Sequence, residues 1–387
     1  MSVTIPSFTR ENKIPMIRCL HTADLHLGAS FPALGTFGAV REQDFVHTFR
    51  RVIDLAIHRE VDLFLIAGDL FDNPSPERAL IGCVEGELQR LVQRGILPVL
   101  LPGTHDYLLA GESVYHPERF KGALQLVRND GPVRITVRDD VVFLYSCCWD
   151  SGRADDLRAC MARRPGDGIH LGLLHGSLEG SPDWQYRGKD LPFTFPALKQ
   201  WGLDYVALGH YHRFQQLEDG NRLRACYPGS PEGKRFGENG PRHALIVDLE
   251  PGRAVMEPVE VQSRQLLELE LEVDGQMTDT DIAEAIAAMG GEGTIVRLCL
   301  RGVLDRALDR DYLAAYAESR FDYLELVDET RWLQGDFIAA IAEEETVRGA
   351  CVRRFRSLLA AADNDVSRHE IEQAFREVMV RFQGGAR

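Results

Sequence analysis

Residues 17–28 read IRCLHTADLHLG, an apolar run that stops at Asp24-Leu25-His26 and a glycine. A short apolar stretch closed by polar residues reads as a strand buried on both faces, and this one ends in two groups that bind cations. The pattern recurs four times. Residues 61–67 lead to Gly68-Asp69-Leu70-Phe71-Asp72, and residues 96–101 to Pro102-Gly103-Thr104-His105-Asp106. Residues 169–174 lead to His175-Gly176, and residues 205–208 to Gly209-His210-Tyr211-His212. Between the first strands, Phe45, Phe49, Val52, Ile53, Ala56 and Ile57 recur at helical spacing, and Pro76 opens a second helix toward Arg94-Gly95. Alternation of this kind predicts an α/β domain with a largely parallel inner sheet.

Further along, residues 133–137 and 141–146 suit a hairpin around Arg138-Asp139-Asp140, and residues 222–227 and 244–249 are strands flanking the Gly-rich segment 228–240. More strands and fewer helices here predict a second sheet packed on the first, with helices outside. A boundary falls near residues 259–265. Beyond it, strands at 266–273, 295–300 and 323–327 alternate with helices at 279–289 and 309–319, a small α+β cap over residues 261–330. Residues 331–387 are expected to form a helical tail, in which Ser367 and Glu370 form a capping-box pattern before the apolar stripe of Phe375, Val378, Met379 and Phe382. Residues 1–15 stand as an N-terminal extension before a domain spanning 16–260.

Of the 387 residues 44% are hydrophobic, enough for a sizeable core, yet no run reaches the roughly 18–20 apolar residues of a membrane span. The first fifteen residues lack the apolar stretch of a secretory signal, so a cytoplasmic protein without membrane association is expected. None of the eight cysteines forms a C-x-x-C pair, which favours reduced, structural thiols. The net charge is −15, and residues 261–387 carry 15 Lys+Arg against 25 Asp+Glu. Total charge therefore does not select a nucleic-acid partner, and local basic groups matter more: Arg213, Arg222, Arg224, Lys234, Arg235 and Arg242 cluster around the last motifs.

Five strand ends carrying Asp and His should meet in one crevice, because ligands bind outside the carboxyl ends of strands in open α/β sheets. Carboxylates mixed with neutral imidazoles suit Mn²⁺, Zn²⁺ or iron rather than Ca²⁺, and a carboxylate can bridge two cations. Any one of these clusters alone would read as a turn or a helix cap. Five in this order predict a metal centre.

The order D-x-H, G-D, G-x-H-D, H-G, G-H-x-H resembles the calcineurin-like metallophosphoesterase superfamily. The strings at 21–28, 67–72 and 227–231, with Phe236 and Glu238 following, are similar to those of SbcD-type DNA repair nucleases. The likeness is specific over about residues 17–249. It implies an α/β fold, a two-sheet αββα sandwich, and two divalent metal ions, manganese first among them with zinc or iron as alternatives. Asp24, His26, Asp69 and His212 would hold one metal; Asp69, His175 and His210 the other. Thr104 stands where the family places an asparagine ligand of the second metal. His105 would assist at the scissile phosphate and Asp106 would orient its ring, while Asp72 suits either a hydrogen bond to a metal ligand or a helix start. The implied activity is DNA hydrolysis by a metal-bridging hydroxide, as a 3′–5′ exonuclease, an endonuclease or both. The implied partners are DNA, a coiled-coil ATPase of the SbcC type docked through the C-terminal helices, and a second copy of the chain. The alternatives are a small-molecule or cyclic-nucleotide phosphodiesterase, or a weakly active scaffold whose second metal site is impaired at Thr104.

Overall fold

The computed structural model describes residues 15–107, 114–115, 119–120, 124–127, 131–148, 157–183, 191–304, 306–332 and 335–384. The N-terminal extension expected over residues 1–15 lies, apart from Pro15, outside them. The chain forms two compact units, one of Met1–Lys234 with Pro241–Ser263 and one of Arg235–Gly240 with Arg264–Arg387.

The strands of the first unit are β1 (Ile17–Thr22), β2 (Leu63–Ala67), β3 (Leu97–Leu101), β4 (Gln125–Leu126), β5 (Val133–Val137) and β6 (Asp140–Cys147). They continue as β7 (Ile169–His175), β8 (Tyr205–Gly209), β9 (Gln215–Asp219), β10 (Arg222–Tyr227), β11 (His243–Glu250) and β12 (Arg253–Glu260). Its helices are α1 (Gly38–His58), α2 (Arg78–Gln93), α3 (Leu157–Met161) and α4 (Phe195–Trp201). The strands make two six-stranded sheets, ordered β12-β11-β1-β2-β3-β4 and β5-β6-β7-β8-β10-β9. The first is parallel from β1 to β4 and antiparallel at β11 and β12. The second is parallel from β6 through β10, with β5 and β9 antiparallel at its edges. The α2 helix starts two residues later than Pro76 suggests, at Arg78.

Side-chain alternation explains why the inner strands read as unbroken apolar runs. In β2, Leu63, Leu65 and Ala67 face an inner layer shared with Ile169, Leu171 and Leu173 of β7 and with Tyr205 and Ala207 of β8. Phe64 and Ile66 point the other way, onto Phe45, Phe49 and Val52 of α1 and Val84 and Leu88 of α2. Val206 and Leu208 of β8 pack on Leu198 and Trp201 of α4. Neither face of these strands meets water, so neither needs a polar residue. Burial of each such Leu, Ile or Phe contributes ~1.5–3 kcal/mol. The unit is therefore the αββα sandwich expected, with two mixed sheets inside and helices on both outer faces.

The second unit holds β13 (Gln265–Asp274), α5 (Asp279–Ala288), β14 (Thr294–Leu304), α6 (Arg310–Ala317), β15 (Tyr323–Asp328) and β16 (Arg331–Trp332), followed by α7 (Gly335–Ala342), α8 (Val347–Ala360) and α9 (Asp365–Gly384). Its four strands are parallel. Thr278 and Asp281 form a reciprocal capping box at α5. The start of α9 differs from the expected Ser367–Glu370 box: Asn364 Oδ1 accepts from Ser367 N at 2.8 Å, so the helix begins one turn earlier. The apolar stripe on α9, which the sequence leaves open to a partner or to its own unit, packs within its own unit. Phe375, Val378, Met379 and Phe382 pack with Val303, Ile341 and Val352, and Met379 is fully buried.

Candidate metal centre

The carboxyl ends of β1, β2, β3, β7 and β8 converge. Loops after β1 and β2 are laced together by Asp24 N to Gly68 O (3.1 Å), His26 N to Asp69 O (2.9 Å) and Leu27 N to Leu70 O (2.9 Å). Contacts between the sheets include His175 Nδ1 donating to Ala67 O at 2.9 Å and His210 N donating to the Asp24 carboxylate at 3.0 and 3.1 Å. This close approach demands glycine. A Cβ on Gly68, whose φ is +94°, would lie 2.1 Å from His175 Nδ1, and one on Gly103 would lie 2.1 Å from Asp69 Oδ1.

Three overlapping groups bring ligand atoms within 4.8 Å of one another: Asp24, His26 and His212; His26, Asp69 and His105; and Asp24, Asp69 and His175. His26 Nε2 and His212 Nε2 are 3.1 Å apart. His210 belongs to none of the three groups, but its ring stands 5.2 Å from that of His175. Thr104 is half-buried beside His105, whose backbone N–H donates to Asp69 Oδ1 at 2.8 Å. Asp24, His26, Asp69 and His210 all adopt positive φ, and among the described residues only Glu60, Phe120 and Arg138 join them without being glycine. Backbone strain of about 1–3 kcal/mol per residue is thus concentrated on expected ligands, as at sites where the surroundings force a geometry.

The donor set fits divalent cations. His175 gives Nδ1–H to a carbonyl, which leaves Nε2 to face Asp69 Oδ2 at 3.3 Å; that buried nitrogen has no aligned hydrogen-bond partner. His26 likewise places Nδ1 3.0 Å from Asp72 Oδ1 and directs Nε2 at the cluster. A carboxylate or carbonyl behind an imidazole fixes which nitrogen faces a metal. Burial raises the Asp24 carboxyl to about 6, and burial lowers His26 to about 4 against the pull of Asp72. Asp69 and His175 hold each other charged despite burial: the carboxyl stays well below its usual range, and the imidazole rises to about 10. A cation at this place would take the position of the Nε2 proton and satisfy the crowded carboxylates together.

His105 is the solvent-facing member at 44% exposure, and its Nδ1 donates to the Asp72 carbonyl at 3.0 Å with Asp72 Oδ1 3.6 Å away. The expectation that Asp106 orients this ring is corrected. Asp106 is fully buried and accepts from Gly103 N (2.7 Å), Phe71 N (3.1 Å) and the Tyr115 hydroxyl, so it braces the β3 loop. Neighbouring residues in a turn direct their side chains apart, and it is the Asp72 carbonyl that meets the His105 ring. Burial also pushes Asp72 up, but hydrogen bonds from His26 and Lys234 outweigh it and hold the carboxyl at about 2. His21, three residues before Asp24, is a buried structural group bonded to Tyr205 Oη and Leu208 O.

The expected basic cluster is largely committed. Arg224 pairs with Asp219, Arg235 with Glu238 and Lys234 with Asp72, while Arg242 is buried and donates to His212 O at 2.6 Å. The residues that sequence reading missed are Arg41 and Glu232, a buried pair at 2.6 Å. Their signal was present: Arg41, Asp44 and Thr48 occupy the same buried helical stripe as Phe45, Phe49 and Val52.

The family model for calcineurin-like phosphoesterases matches residues 17–214. The metallophosphoesterase YhaO of Bacillus subtilis is 29% identical over 244 residues, covering 60% of this chain and 57% of that protein. The DNA double-strand break repair protein Mre11 of Sulfurisphaera tokodaii is 31% identical over 224 residues, covering 55% and 53%. The chain thus spans little more than half the length of these relatives. A dimetal phosphatase from Danio rerio superposes at a TM-score of 0.38 and 10% identity over 64% of this chain and 98% of its own, too loose a match to carry weight.

Proposed function

We propose, from the premise that this chain belongs to the calcineurin-like phosphoesterases, that it hydrolyses phosphodiester bonds of DNA with two divalent cations, manganese first among them. The observation that carries this reading is the set of three ligand groups overlapping at Asp24, His26 and Asp69 beneath a solvent-facing His105. Asp24, His26 and His212 would hold one cation, Asp69 would be shared, and His175 and His210 would hold the other, with Thr104 at its edge. When bound, such a pair supplies Lewis-acid polarisation of the phosphate and lowers the pKa of water to near neutrality.

The chain's own residues supply the rest. Asp72 anchors both imidazoles that flank the cluster, through its carboxylate to His26 and its carbonyl to His105. With Nδ1 so engaged, the other ring nitrogen of His105 is left to hand a proton to the leaving oxygen. DNA is favoured as substrate by the likeness to Mre11 proteins, which are named for DNA double-strand break repair. A small phosphodiester is the second reading, favoured by the acid-paired state of Lys234, Arg224 and Arg235. End-labelled duplex DNA and a cyclic nucleotide, each incubated with Mn²⁺, separate the two. Cleavage of DNA that His105→Ala reduces by about a hundredfold or more, at unchanged cation content, supports the proposal. Turnover confined to the cyclic nucleotide overturns its substrate, and metal lost from the variant overturns the role of His105.

A further inference from the structure

The strap that follows β10 is fastened to α1 by buried charges. Glu232 Oε1 pairs with Arg41 Nη1 at 2.6 Å, and Oε2 accepts from Thr48 Oγ1 at 2.5 Å and Ser263 N at 2.7 Å. Arg41 Nη2 donates to Gly233 O, and Ser230 N to His212 O. Fixed in this way, the strap sets Lys234 against the cluster, its Nζ 3.3 Å from His26 Nδ1 and hydrogen-bonded to Asp72 Oδ1.

For a centre that binds cations this is a costly place for an ammonium group, since like charges repel. The anion on the other side of the balance gives the reason. Asp72 and Lys234 are each about a quarter exposed and His105 more so, whereas His26, Asp69 and His175 are buried. Asp72 is therefore a partly exposed carboxylate beside the buried ligands, on the side that solvent reaches. We propose that Lys234 cancels the charge of Asp72 beside the buried ligands and so sets the affinity for anionic substrate. This rests on the phosphoesterase reading above.

An electrostatic role moves anion and cation affinity in opposite senses, which a merely structural role does not. The test uses the full chain with Lys234→Met and Lys234→Arg. Inorganic phosphate is titrated calorimetrically into the Mn²⁺-saturated protein, and free Mn²⁺ is counted by electron paramagnetic resonance. Lys234→Met is expected to weaken phosphate about tenfold while Mn²⁺ affinity rises, and Lys234→Arg to stay within about threefold on both. The phosphate difference should shrink between about 50 mM and about 500 mM salt. Unchanged phosphate affinity overturns the proposal, as does a joint fall of both affinities with the unfolding midpoint. A wild-type chain that takes up no Mn²⁺ sinks the phosphoesterase reading as well. One that takes up Mn²⁺ and is indifferent to Lys234→Met sinks this inference alone.

Discussion

Gly68→Ala is the substitution whose cost the geometry fixes most tightly. A Cβ there would lie 2.1 Å from His175 Nδ1, 2.5 Å from its Cγ and 2.9 Å from its Cβ, at a backbone φ of +94°. The atoms met are the root of the imidazole, so no rotation of a flexible end relieves the overlap, and the ring must retreat by about 1 Å or more. That retreat forfeits the bond to Ala67 O, worth ~1 kcal/mol, and the left-handed backbone costs a further ~1–2 kcal/mol for a residue with a side chain. Together with residual overlap, the loss should be about 3–5 kcal/mol. The same change at Gly82 is the control: it is an exposed glycine inside α2 with no atom within 4 Å of an added Cβ, so alanine there should stabilise by ~0.5–1 kcal/mol. Urea unfolding in the presence of a chelator measures both. A Gly68→Ala chain within about 1 kcal/mol of wild type would show that β7 does not press on the β2 loop as described.

Two further outcomes follow from buried charge and burial of histidine. Glu232→Gln leaves Arg41, itself 1% exposed, with Asp44 and the Gly233 carbonyl, and should cost about 2–4 kcal/mol in the same assay; a loss below ~1 kcal/mol contradicts the buried pair. Burial lowers His21 from 6.5 to about 3, so the unfolded chain takes up the proton more readily than the folded one. Its contribution is complete above about pH 6.5 and is lost as pH falls toward 3, on the order of 2 kcal/mol by pH 5. Stability of wild type and His21→Asn compared at pH 7 and pH 5 should show the smaller acid loss in the variant, and equal losses would refute the assignment.

Much of the first unit was legible because its strands are buried on both faces and end in polar residues at the same side. The convergence of Asp24, Asp69, His105, His175 and His212 follows from parallel strands, whose carboxyl ends must point one way. What sequence could not show was which way neighbouring side chains turn there. Asp106 adjoins His105 yet faces inward to Tyr115, while Asp72, separated by 33 residues, meets the ring. The Arg41–Glu232 pair joins positions 191 apart, and its partner choice is made only once α1 and the strap pack. The stripe on α9 is legible as apolar, but periodicity cannot say whether it faces its own unit or a partner, and here Val303 and Ile341 take it.

Counting bound cations tests the central claim most directly. Elemental analysis of wild-type chain dialysed against Mn²⁺ should find about two ions per chain, and Asp69→Asn, whose carboxylate belongs to two of the three ligand groups, should retain fewer than one. Wild-type protein that emerges with none, still folded, would contradict the account.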